Sequence, residues 1–458
     1  MESWMRIKLP MTWSNRWIAN YKGIFDAWED GGVRGLAVGR LLCELDDGSY
    51  VPAFSSDRKI YERYGIQPTD HTACDPEKEK ILHEILDNAA NRGWTIMLFD
   101  VPGRSDGPFA QEDPFGETSL AAAMQDALKA FPQASGVIMD GGGEQPYELA
   151  WHHGSELLAL RPQDRLRFEL LGFDVTRIER GISHLRQCFQ DLTPDQVRYH
   201  ALGGTLAGLI LYDITADGLY WLRTRQQVTA KAMAALRNAM DLVDNNPKLG
   251  IIPRITSFSS LTGQNYQQMK KQFDLIFPKQ YFWNRGFDGL YGTVQRWVMK
   301  FSEWNPLLKE ADCFLLVESL FGLSIPGVNS LRDLDRGFPP EFFHNVVASE
   351  TRRALAAIED PNKVIFWVQT GRDPHSGDAM SAYDLQRILH ATKEAGAKRF
   401  LFQPRTDLSA PQWHVISRMC GNPWRENPNS YWPADTWRED VEGYGNHFRS
   451  TRKKDEVK

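Results

Sequence analysis

The chain is poor in cysteine. Its five (Cys43, Cys74, Cys188, Cys313 and Cys420) are odd in number, scattered over 458 residues and never in a CxxC spacing. That argues against a disulfide framework or a zinc ribbon. No apolar run approaches the ~18 residues of a membrane span, so no membrane partner is expected. The start, MESWMRIKLPMTWSNRW, has neither an apolar core segment nor a small-residue cleavage site, so no secretory signal is read there. A cytoplasmic location is expected, or a secreted one if a signal peptide has been removed. Positive charge is also short. The 53 Lys and Arg stand against 59 Asp and Glu, a net charge of -6 with no basic stripe, which argues against a nucleic-acid partner. The densest basic cluster, Arg449, Arg452, Lys453 and Lys454, runs into Asp455 and Glu456 and reads as a solvated terminus.

Signature motifs are missing too. There is no HExxH, no HxH after the first strand candidate and no GxSxG elbow, which argues against zincin, amidohydrolase-like and serine-nucleophile sites. The adjacent pair His152–His153 diverges on regular structure, so His152 is read as a substrate contact and no metal site is expected. The glycine runs 141–143 and 203–204 fit neither GxGxxG nor the phosphate loop, and no cofactor is expected.

Aromatics, by contrast, are plentiful: 12% of the chain, with 15 Trp. Their flat faces suit sugar rings as well as protein cores. The stretch that organises the rest is 135–144, SGVIMDGGGE. Val137, Ile138 and Met139 read as a buried strand, and three glycines then let the backbone turn sharply. Asp140 and Glu144 would stand at the strand's C-terminal exit, where α/β folds carry their chemistry.

Around it the chain alternates. Strands are expected near residues 36, 96, 137, 251, 276, 315, 366 and 400, with helices over 76–92, 120–131, 175–190, 226–243, 289–304, 339–359, 381–395 and 410–419. The run 203–213, GGTLAGLILYD, fits a strand or a buried helix equally. Eight strands with intervening helices predict a (β/α)₈ TIM barrel with a mostly helical insertion, 145–247, after the third strand. An open doubly wound sheet is the alternative. The barrel is expected to span 1–425, and 426–458 to form a surface segment and tail.

In a barrel all strand exits share one face. That face would carry Asp100, Asp140, Glu144 and Glu318 as acids, and Arg254, Lys279, Trp283, Arg285, Gln369 and Arg372 as substrate contacts. Such a ring suits a polyhydroxylated ligand, and paired carboxylates can share acid and base duties at a glycosidic bond. Glu144 is the expected general acid and Asp140 the base or nucleophile, with Glu318 or Asp100 as replacements. Lys279, in an apolar strand, keeps a Schiff-base lyase or aldolase open. A non-catalytic carbohydrate-binding barrel is the third reading. Oligomeric state is not legible.

Three phrases, NRGWTIMLFDVPG (91–103), FPQASGVIMDGGGE (131–144) and QYFWNRGFDG (280–289), resemble TIM-barrel glycoside hydrolases, in particular hydrolase-like barrels of bacterial polysaccharide use. The resemblance implies a carbohydrate substrate and hydrolysis of a glycosidic bond. It departs from the largest clan of such barrels, which carries Asn-Glu after the fourth strand and Glu after the seventh. On the expected strand order those exits read PRITSFSS and VQTGRD.

Overall fold

Parallel strand pairing starts at the second residue of the chain. The computed structural model describes residues 1–8, 15–39, 41–44, 50–66, 76–99, 116–140, 158–160, 162–284, 289–336, 338–370, 380–402 and 409–425. Counting the strands of the main sheet, β1 is Glu2–Lys8, β2 Val33–Gly39, β3 Thr95–Phe99 and β4 Gly136–Asp140. Then come β5 Lys248–Ile252, β6 in two pieces (Leu275–Ile276 and Lys279–Gln280), β7 Phe366–Val368 and β8 Arg399–Phe402. Every pairing in this sheet is parallel, and β1 lies between β2 and β8.

The sheet closes on itself through β6. Its first piece pairs with β5 and its second with β7. On one side Phe277 N donates to Ile251 O at 2.8 Å and Lys279 N to Pro253 O at 3.0 Å. On the other, Ile276 N donates to Lys363 O at 2.8 Å, and Ile276 O and Pro278 O accept from Ile365 N and Trp367 N. Pro278 has no N–H to give toward β7, and that missing rung divides the strand. The chain is a closed (β/α)₈ barrel, and the open doubly wound alternative falls with the closure.

Eight strands are expected and, among the described residues, eight make up the main sheet, but they are not the same eight. Residues near 315 form the helix Glu310–Phe321, not a strand. The run DCFLLVE is apolar because this helix is buried on several sides, which periodicity cannot tell from a core strand. The strand that restores the count is β1, where Met5 and Ile7 alternate with Trp4 and Arg6. One consequence is that 136–140 is the fourth strand, so the insertion follows β4. Its described part holds five helices, from Pro162–Leu170 to Ala216–Met240. The ambiguous run 203–213 is among them, as helix Gly204–Leu211.

Strand alternation divides the apolar residues into two cores. Trp4, Met97, Phe99, Ile138, Phe277, Tyr281 and Trp367 belong to the cluster that fills the barrel lumen. Met5, Leu36, Leu98, Val137, Leu249 and Phe400 face outward into the helical layer. Gly35 makes room for the lumen's largest ring, since a Cβ there would lie 2.4 Å from the Trp4 indole. Helix ends follow local rules: Asp174 caps Val175–Asp191, and Ser409 and Gln412 form a capping box on Ala410–Cys420. The long helix expected over 339–359 is interrupted by a π turn at Phe343–Val347. No helix among the described residues is long and apolar enough to cross a membrane.

One buried acid gives the fold a pH dependence. Asp126, on helix Gly116–Ala130, accepts from Asp57 N at 2.9 Å, yet burial pushes its carboxyl above its ordinary range. A carboxyl that holds its proton more tightly when folded stabilises the fold at low pH. That contribution is lost as pH rises from the ordinary carboxylate pKa through the raised one. Asp126→Asn keeps the acceptor without the charge. It should raise Tm at neutral pH and flatten the Tm profile between about pH 4 and neutrality, as thermal melts across that range would show.

Candidate functional site

The C-terminal ends of the eight strands define one mouth of the barrel, the end where such folds act. Its described floor is aromatic and cationic. The Arg6 guanidinium lies over two lumen rings, Phe99 at 4.3 Å and Trp367 at 5.0 Å. Trp367 meets Phe99 and Tyr281 edge to face, at 5.9 and 5.6 Å between centroids. Lys279 is buried and lies between Phe277 and Tyr281 on β6, which puts it on their lumen face. The Arg6 guanidinium against two ring faces, among buried side chains, makes the floor electropositive.

The rim over β6 and β7 is an amide bridge. Asn284, buried after β6, donates its carboxamide N–H to Gln369 Oε1 after β7. Residues 281–284 are held in place by the helix Leu290–Trp304. Leu290, Tyr291 and Gly292 donate their N–H groups to the carbonyls of Tyr281, Phe282 and Asn284. Gly289 permits this approach, because a Cβ there would fall 1.9 Å from Asn284 O. Gly289→Ala should therefore displace Asn284 and cost about 1–3 kcal/mol of stability. The shift in urea midpoint measures the cost.

The other sequence candidates divide sharply. Asp140 ends β4 in register with Ile252 of β5; its side chain, and all of Asp100, Glu144, His152, Arg285 and Arg372, lie outside the described residues. Arg254 is buried beyond β5, donating to Thr293 Oγ1 at 3.0 Å, with its guanidinium 5.3 Å from the Phe258 ring. Trp283 is not a free sugar platform. It is 5% exposed and packed among Phe338, Phe342 and Phe343 at 4.9–5.7 Å. Glu318 is not at a strand exit. It lies on helix Glu310–Phe321, where burial pushes its carboxyl up and Ile325 N donates to it at 2.5 Å. Its placement at the mouth depended on the misread strand.

No protein-family model matches the chain, and no curated protein matches it in sequence. Solved structures similar to it include the following three. One is the glycoside hydrolase domain of PgaB (BpsB) from Bordetella bronchiseptica, at 11% identity and a TM-score of 0.47, covering 92% of this chain and 99% of that one. Another is a β-galactosidase from the psychrophilic Marinomonas ef1, also at 11% and 0.47, covering 92% of this chain and 59% of that one. The third is GH5_18 from Streptomyces cattleya in complex with GlcNAc, at 10% and 0.42, covering 94% and 82%. The barrel stands on its own strand pairing, and no residue role is carried over from these proteins.

Sequence reasoning misses Arg6, since β1 itself goes unread. The signal was there: MRIK alternates apolar and basic after a Trp. The strand count also corrects the comparison of exits. The fourth exit reads MDGGGE, not PRITSFSS, so it does carry acids, although not the Asn-Glu pair.

Proposed function

We propose that this barrel hydrolyses a glycosidic bond in an oligo- or polysaccharide, with Asp140 as base or nucleophile and Glu144 as general acid. The observation that carries the reading is that β4 ends in an acid at the same end of the lumen as Arg6, Lys279 and their aromatic floor. On the two-residue period of a strand, position 140 shares the face of Ile138, a lumen residue.

The chemistry asks for two carboxyls in different protonation states. A base or nucleophile at position 140 must act in its ionised state. Glu144 is the partner proposed to hold the proton for the leaving oxygen. The Asn284–Gln369 amides offer donors and acceptors of the kind that orient sugar hydroxyls. Asp100 remains the proposed replacement acid, and Arg254, Lys279, Gln369, His152, Arg285 and Arg372 remain proposed contacts. Trp283 and Glu318 do not.

Lys279 supports a second reading. A lysine 4% exposed in an apolar lumen is the kind that forms a Schiff base in a lyase or aldolase. Borohydride trapping with a carbonyl substrate would reveal it. The test of the main reading is a glycan panel assayed for released reducing ends, with wild type beside Asp140→Asn and Glu144→Gln at matched Tm. Cleavage by wild type and loss in both variants is expected. Undiminished cleavage in both would overturn the site.

A further inference from the structure

Helix Gly204–Leu211 reads GTLAGLIL, and no charged residue stands between Ala201 and Tyr212. A helix apolar all round belongs in an interior. Of its eight residues, however, only Gly208 and Leu211 are buried. Leu206 and Ile210 are 77% and 67% exposed, and Leu202, just before the helix, is 72% exposed. Leu209 lies beside them, and Tyr199, at the end of helix Pro194–His200, adds an exposed ring. Positions 206, 209 and 210 recur at helical spacing, so they form one face, and Leu202 is exposed in the turn that leads into it.

The inner side of this helical hairpin is fully engaged. Arg198 pairs with buried Asp312 at 2.9 Å, and Tyr212 OH donates to Leu316 O at 3.2 Å, so both helices are fixed on helix Glu310–Phe321. The outer face is therefore held rigidly in place, with nothing over it among the described residues.

We propose that this face is the contact of a two-fold dimer of the chain. A two-fold contact sets the same patch against itself, and a charge in it would meet its own kind. This patch has none. The exposed acids flanking it are locally paired, Asp195 with Arg198 and Asp213 with His184. That leaves no basic excess of the kind that draws a helix to an anionic membrane. The five side chains expose on the order of 600 Å² per copy, the upper end of what monomers tolerate. A symmetric pair would bury about 1,200 Å², the lower bound of a stable interface.

Sedimentation velocity on the full chain over a concentration series tests this. Wild type should run as a reversible dimer. Leu206→Glu with Ile210→Glu should weaken dimerisation by about 100-fold or more without altering Tm or the circular dichroism spectrum. Thr205→Arg, an exposed position on the same helix, gives a second variant should the first fold poorly, and it too should run as monomer. Wild type that is monomeric throughout would overturn the proposal, whether or not it floats with phosphatidylcholine vesicles. So would a dimer that survives both variants.

Discussion

Asp140→Asn should lower turnover of a matched glycan by about 1,000-fold, or about 4 kcal/mol of barrier. The substitution is nearly isosteric and removes a charge at the last residue of β4, where Asp140 pairs with Ile252. The β4–β5 ladder is made by backbone groups that the change leaves alone, so Tm should move little. The loss should fall on kcat more than on KM, because an acid that acts on the reacting bond contributes mainly in the transition state. A matched loss in binding alone would assign Asp140 a substrate contact. Steady-state kinetics with a defined oligosaccharide separate the two.

Glu350→Ala should be the costliest single change to the fold, at about 3–5 kcal/mol. Glu350 is buried on helix Ala348–Ile358 and gathers the segment that follows β5. It accepts from Thr256 Oγ1 at 2.6 Å, from Ser257 N at 3.1 Å and from the Ser257 hydroxyl. Arg353 Nη1 donates to the same carboxylate at 2.9 Å and to Ser257 Oγ at 2.7 Å. Truncation strips a charged acceptor from three buried donors at once, and each must then find water it cannot reach. Because this segment continues from Arg254, activity should fall along with stability. Glu350→Gln keeps one acceptor but turns an NH₂ toward those donors, so it should lie between. Urea unfolding of the three proteins orders them.

Where a strand is covered on both faces and bounded by turn residues, the sequence is readable. KVIFWVQT and RFLFQ are β7 and β8, and VIMD is β4, each within a few residues. Two signals failed for physical reasons. The helix Glu310–Phe321 is packed by helices on several sides, so its apolar residues do not form a stripe. Strand β1 carries Arg6 and Lys8 at alternate positions, a pattern that reads as a charged leader until the lumen is known to hold an arginine on two rings. The errors cancel in the strand total but not in the site. One supplied Glu318 to the mouth and the other withheld Arg6. Trp283 shows the limit of composition, since an aromatic after a strand packs equally well as core or platform, and here three phenylalanines claim it. Closure was legible only as a count of strands; what decides it is the bonding of β6 to both neighbours around Pro278.

Hydrolysis is assigned to the β4 end of the barrel. Its most direct test is to incubate the protein with the glycan panel in ¹⁸O-labelled water and to follow the products by mass spectrometry. Hydrolysis should give a shortened glycan carrying one heavy oxygen at its new reducing end, formed by wild type and not by Asp140→Asn. A product with a new double bond and no heavy oxygen would contradict it and favour the Lys279 chemistry. A folded wild type that cleaves nothing on the panel would contradict it too, and would leave a barrel that binds its ligand without breaking it.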